Sequence, residues 1–136
     1  MAYFLVKSEP EDYSLTDLKR DKKAMWDGVR GFQALRHMKE MKKGDQVYYY
    51  HTGKEKSIVG LAVVEREHYR DPAALEREPW RCVDLKYVDS LERPVSLKEV
   101  KAHPVLKESL LARQSRLSVM PLTPEEWQII SELARS

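Results

Sequence analysis

An α+β domain is predicted by three features of the 136-residue sequence. Short β-branched and aromatic runs share the chain with a segment whose apolar residues recur at helical spacing. Three helix starts carry capping signals, at Ser14, Ser96 and Thr123. Three strand-like segments follow one another between residues 46 and 91, the first two joined by a hairpin turn. With 42% hydrophobic and 34% charged residues, the chain has the apolar material for one core and one domain spanning 1–136.

Tyr3 to Lys7 reads as the first strand. It is closed by Ser8-Glu9-Pro10, because Pro10 pushes Glu9 into an extended conformation and cannot donate to a ladder. Ser14, with Asp17 three positions on, starts a brief helix that ends near Asp21. Past a basic link, the two glycines of Trp26-Asp27-Gly28-Val29-Arg30-Gly31 suit a tight loop. From Phe32 the pattern is helical: Ala34, Leu35, Met38 and Met41 share one stripe, and Lys43-Gly44-Asp45 ends it. Strands are expected from Gln46 to His51, from Ser57 to about Tyr69 and from Trp80 to about Leu91, with 52–56 as a hairpin turn. Ile58 to Val64 is apolar on both faces, as in a central or barrel strand, with Gly60 as a bulge. The remainder is mostly helical. Ser96 with Glu99 and Thr123 with Glu126 form capping boxes, and Arg113 to Pro121 between them is a short extended segment.

Twenty-four basic and 22 acidic residues leave a net charge of +2, so nucleic-acid binding has to rely on a local patch. One cysteine, Cys82, allows no internal disulfide and suits a reducing, cytoplasmic compartment. It is expected to be a small buried side chain. No apolar run approaches a membrane helix, and the start reads as a strand rather than a leader peptide. His37, His51, His68 and His103 lack metal-site spacing, so no metal and no cofactor are expected. Gly53-Lys54 fails as a phosphate loop, since Tyr48 replaces the earlier glycine and Glu55 the following hydroxyl residue.

Four pieces carry possible chemistry, and each has an ordinary explanation when taken alone. Lys7, Ser8 and Glu9 bring a donor, a hydroxyl and an acceptor to one rim, or form a solvated strand end. Trp26 plugs the core, or offers an indole on which a base can stack. Tyr48-Tyr49-Tyr50-His51 sets aromatics on both faces of one strand. Arg113 and Arg116, with Ser115 and Ser118, make a phosphate-contacting strip or a solvated turn.

Together these pieces resemble the EVE domain family of the PUA-like superfamily. The resemblance covers nearly the whole chain, through Tyr3 to Pro10, Trp26 to Arg30, Tyr49-Tyr50-His51 with Gly53-Lys54, Ile58-Val59-Gly60, and Arg113 to Pro121 as the most specific motif. It implies a small β-barrel flanked by helices, akin to the YTH domain that encloses a methylated adenine. It also implies a non-catalytic pocket for a modified base of DNA or RNA, in a monomer that engages no membrane. On that resemblance Lys7, Ser8 and Glu9 form the rim and Trp26, Asp27, Gly28, Val29 and Arg30 cover one side. Tyr50 and His51 form a wall, with Arg116, Leu117, Ser118 and Val119 opposite. Lys7, Arg30, Arg113 and Arg116 contact phosphates; Val29 and Val119 also suit a plain core role. Gly31-Phe32 departs from the family, whose members commonly carry an asparagine there, so one amide able to read a base edge is missing. The alternative is a small hydrolase with Lys7 and Glu9 as an acid/base pair beside Ser8 or Thr52, marked by a lowered lysine pKa.

Overall fold

The computed structural model describes residues 1–136. Six strands lie in one sheet: β1 (Tyr3–Ser8), β2 (Lys23–Trp26), β3 (Gln46–His51), β4 (Ser57–Arg70), β5 (Arg81–Ser96) and β6 (Val119–Leu122). Their order is β2-β5-β4-β3-β1-β6. β1 runs parallel to β3 and every other neighbouring pair is antiparallel. The helices are α1 (Leu15–Asp21), α2 (Phe32–Lys39), α3 (Leu97–Ala102), the single turn α4 (Leu110–Arg113) and α5 (Pro124–Ala134). No helix is long and apolar enough to cross a membrane.

The expected α+β class is the one that forms. β1, β3 and the first half of β4 are covered on both faces, which is why Leu5, Val6, Val47, Tyr49, Ile58 and Ala62 have no exposed surface. The tyrosine run is divided between two environments. Tyr48 stacks on Trp127 of α5 at 3.7 Å between ring centroids, whereas Tyr49 meets Trp26 edge-on at 5.5 Å. Cys82 is fully buried, and burial pushes its thiol pKa up.

The small β-barrel that the resemblance implies is present as a sheet that does not close. β2 and β6 are edges that pair only with β5 and β1, respectively, so the two ends of the sheet order do not join and a gap is left between them. Helix α2 spans that gap instead, packing against both β6 and β5. The sheet is nevertheless strongly coiled. Trp26 and Tyr49 stand three strand positions apart, which on a flat sheet is about 14 Å, yet their rings touch. Register shifts at four places between β4 and β5, and between Tyr49 and Tyr50, supply the curvature that bulges generate.

Two elements depart from expectation. The basic link before Trp26 is the strand β2, with Lys23 and Met25 outward and Ala24 and Trp26 inward, paired to Lys86 through Val83. β5 runs on to Ser96, because Val95 and Ser96 pair with Ile58 and Ser57 although Glu92-Arg93-Pro94 is polar.

Candidate nucleic-acid interface

The inward side of β2 faces the end of β1 across a cleft of about 450 Å³ lined by Lys7, Ser8, Glu9, Asp12, Tyr13, Ala24, Met25, Trp26 and Asp27. Five of these, Lys7, Ser8, Glu9, Trp26 and Asp27, come from two separate sequence motifs that the coiled sheet brings together. Tyr13, which the sequence did not single out, is the second aromatic wall. It precedes the N-cap Ser14, whose capping box sets the direction of α1. Its hydroxyl donates to Asp21 Oδ2 at 2.7 Å, and burial first, then that bond, raises the phenol pKa, so the ring is held neutral.

The polar groups of this cleft are already partly engaged. Ser8 Oγ donates to the Tyr13 carbonyl at 2.7 Å, and the Tyr49 hydroxyl donates to the same oxygen at 2.9 Å. Lys7 Nζ donates to the Ser115 carbonyl at 3.0 Å and lies 5.5 Å from the centre of the Tyr50 ring. Partial burial lowers the Lys7 pKa. Glu9, Asp12 and Asp27 are exposed, and their carboxylates make no hydrogen bond or ion pair within the chain. Lys7 and Glu9 are therefore not paired. Trp26 Nε1 is buried and has no acceptor.

The loop after β2 is held by a residue that sequence inspection missed. Asp71, with no exposed surface, accepts from the Gly28 N–H at 3.1 Å, from Arg30 Nη1 at 3.1 Å and from the Ala73 N–H at 2.8 Å. Burial alone would raise the Asp71 pKa, but the two backbone donors and the guanidinium outweigh it and hold the carboxyl below its ordinary range. The only signal in the chain is a turn-forming Asp71-Pro72 step. Gly28 adopts φ 78°, so the loop conformation itself calls for glycine. Arg30 is thus tied to Asp71 and lies 5.5 Å from the Trp80 ring, with 41% of its side chain exposed. Val29 is buried in the core cluster that also includes Val119 and Leu117.

The wall residues are structural in their contacts. His51 Nε2 accepts the Leu15 N–H at 3.0 Å, tying α1 to β3, and Nδ1 bonds Glu55 of the following turn, so both ring nitrogens are engaged. Tyr50 is buried, its phenol pushed up to about 12 by that burial. The aromatic that touches Trp26 is Tyr49, not Tyr50.

The strip Arg113 to Ser118 does not line the Trp26 cleft. It faces Gly31 to Ala34, at the start of α2, across a second cleft of about 520 Å³. The residues expected around one pocket therefore line two neighbouring clefts, with the arginines at the rim of the second. Lys7 stands at the join. Its backbone N–H donates to Ser118 at 2.9 Å and its ammonium to Ser115, while its stem lines the Trp26 cleft.

A model of the EVE domain family matches residues 2–133. Mouse (Mus musculus) thymocyte nuclear protein 1 is 37% identical to this chain over 96% of it and 73% of its own length. Among solved structures, a Rhodopseudomonas palustris protein shares 41% identity with a TM-score of 0.93, covering 99% of this chain and 94% of its own. Human thymocyte nuclear protein 1, in complex with DNA containing 5-methylcytosine, shares 32% identity with a TM-score of 0.91, covering 100% and 99%. The family match over nearly the full length, with the identities to these relatives, makes the chain a member of the EVE domain family.

Proposed function

We propose that this domain is a non-catalytic module that takes a modified base of DNA, flipped out or single-stranded, into the cleft between Trp26 and Tyr13. The cleft carries the proposal: its volume of about 450 Å³ lies within the range of small-ligand sites. It also combines two aromatic walls with unpaired carboxylates able to accept from an exocyclic amine. The relative solved with 5-methylcytosine DNA supports the choice of ligand class. Fluorescence anisotropy with strands carrying one 5-methylcytosine, their unmodified counterparts and the same sequences in RNA tests it. The modified DNA strand is expected to bind most tightly. Trp26→Ala should weaken it by about one to two orders of magnitude, the 1–3 kcal/mol typical of a lost base-stacking aromatic. Equal affinity for all strands, or indifference to Trp26→Ala, defeats the proposal.

The lowered Lys7 pKa favours a second possibility, a hydrolase using Lys7 and Glu9. Against it, Glu9 makes no contact with the ammonium and the Ser8 hydroxyl is committed to a backbone carbonyl. Turnover abolished by Lys7→Ala and retained in Trp26→Ala would establish the hydrolase.

A further inference from the structure

We propose that the cleft between the start of α2 and the Arg113–Ser118 strip is a separate phosphodiester subsite, which holds the backbone flanking a base seated against Trp26. The seating of a base against Trp26 rests on the function proposed above, and the phosphodiester subsite does not. The two clefts differ in charge. The Trp26 cleft sets three free carboxylates, of Glu9, Asp12 and Asp27, against one ammonium that already donates to Ser115. A neutral heterocycle enters it, and a phosphate is repelled. The second cleft contains no acidic residue among its lining. Arg113 and Arg116 are exposed there, and neither guanidinium makes a hydrogen bond or ion pair within the chain, so ten N–H donors in two forks remain available. Arg30 is the contrast, since its charge is already paired with Asp71 through Nη1.

The same cleft displays an aromatic that no core needs. Phe32 is 71% exposed, and its ring is braced by Trp80 at 5.3 Å and a 38° tilt. A rigid, solvent-facing ring beside two free guanidiniums is the combination that single-stranded nucleic acid uses, phosphate on the cations and base on the ring. Lys7 makes the two clefts neighbours, because it bonds the strip through both its backbone N–H and its ammonium. One strand crossing Lys7 therefore places a base in the first cleft and the adjoining phosphates in the second.

The test titrates three probes: 5-methyl-2′-deoxycytidine, a five-nucleotide single strand with 5-methylcytosine at its centre, and that strand with an abasic centre. Each is measured against the wild-type chain, Trp26→Ala, Phe32→Ala and the double variant Arg113→Gln/Arg116→Gln, with NMR spectra verifying that every variant is folded. The double variant is expected to weaken the pentanucleotide at least tenfold. It should flatten the slope of log K against log salt by about 1.4, two single-strand phosphates at about 0.7 each. Nucleoside affinity should stay within twofold, and Phe32→Ala should weaken the pentanucleotide severalfold at unchanged salt slope. An unchanged slope in the double variant, or equal losses for nucleoside and strand, overturns the subsite. If the nucleoside does not bind while the abasic strand binds with an arginine-dependent slope, the base-binding function falls and the subsite stands.

Discussion

At the residue scale, Asp71 has the most local consequence. Its carboxylate is fully buried and joins the loop that follows Trp26 to a turn more than forty positions away in the chain. Asp71→Ala leaves the Gly28 and Ala73 N–H groups without their acceptor and frees Arg30, at a cost of about 2–4 kcal/mol by the scale of buried charge-assisted hydrogen bonds. Urea denaturation measures it. The pH dependence has a definite sign. The folded pKa is depressed, so the stabilisation is present above the ordinary carboxylate value of about 4 and is lost as pH falls through the folded pKa. The stability difference between wild type and Asp71→Ala should accordingly be level near neutrality and shrink below about pH 4. A difference that stays constant into strong acid would show that Asp71 is not ionised in the fold. Nothing near Trp26 in the chain points to Asp71, because the contact exists only once β4 has returned to the loop; Trp26 itself was legible as an indole between glycines and charges.

At the element scale, local signals were legible and non-local ones were not. The capping boxes at Ser14, Ser96 and Thr123 all form, since each needs only four consecutive residues. Strand β2 escaped notice because Lys23-Ala24-Met25-Trp26 has no strand character of its own and is extended only by pairing with β5. Gly60 was read as a bulge and does lie at a register shift, but it has a second role visible only in three dimensions. A Cβ there would come within 2.5 Å of both Leu15 δ-carbons, so α1 seats on the sheet where the side chain is missing. Gly60→Ala should cost about 1–3 kcal/mol, the usual price of overpacking a filled core, and Leu15→Ala should remove most of that increment. A double-mutant cycle in urea checks the coupling. Additive costs would mean that α1 does not bear on Gly60.

At the scale of the whole molecule, the sheet is buried on both faces at its centre and free at both edges, and the candidate interface lies along that gradient. β1, β3 and the 57–64 half of β4 are largely buried, so their amides should exchange with solvent only through global unfolding. β2 is held on one side by β5 alone and carries Trp26 into the cleft, so its amides should exchange through local opening. The sequence motifs could not reveal that Trp26 and the arginine strip line different clefts, because Lys7 stands between them through a contact with Ser115 more than a hundred positions away rather than through any local pattern. Hydrogen exchange read by mass spectrometry tests the arrangement directly. A strand carrying 5-methylcytosine should slow exchange in residues 23–31 and 113–118 while leaving α5, which packs through Trp127 against Tyr48 and Tyr3, unchanged. Protection confined to 113–118 would mean that the backbone is held without a base against Trp26, and protection centred on α5 would move the interface to the opposite face of the sheet, where Trp127 covers Tyr48.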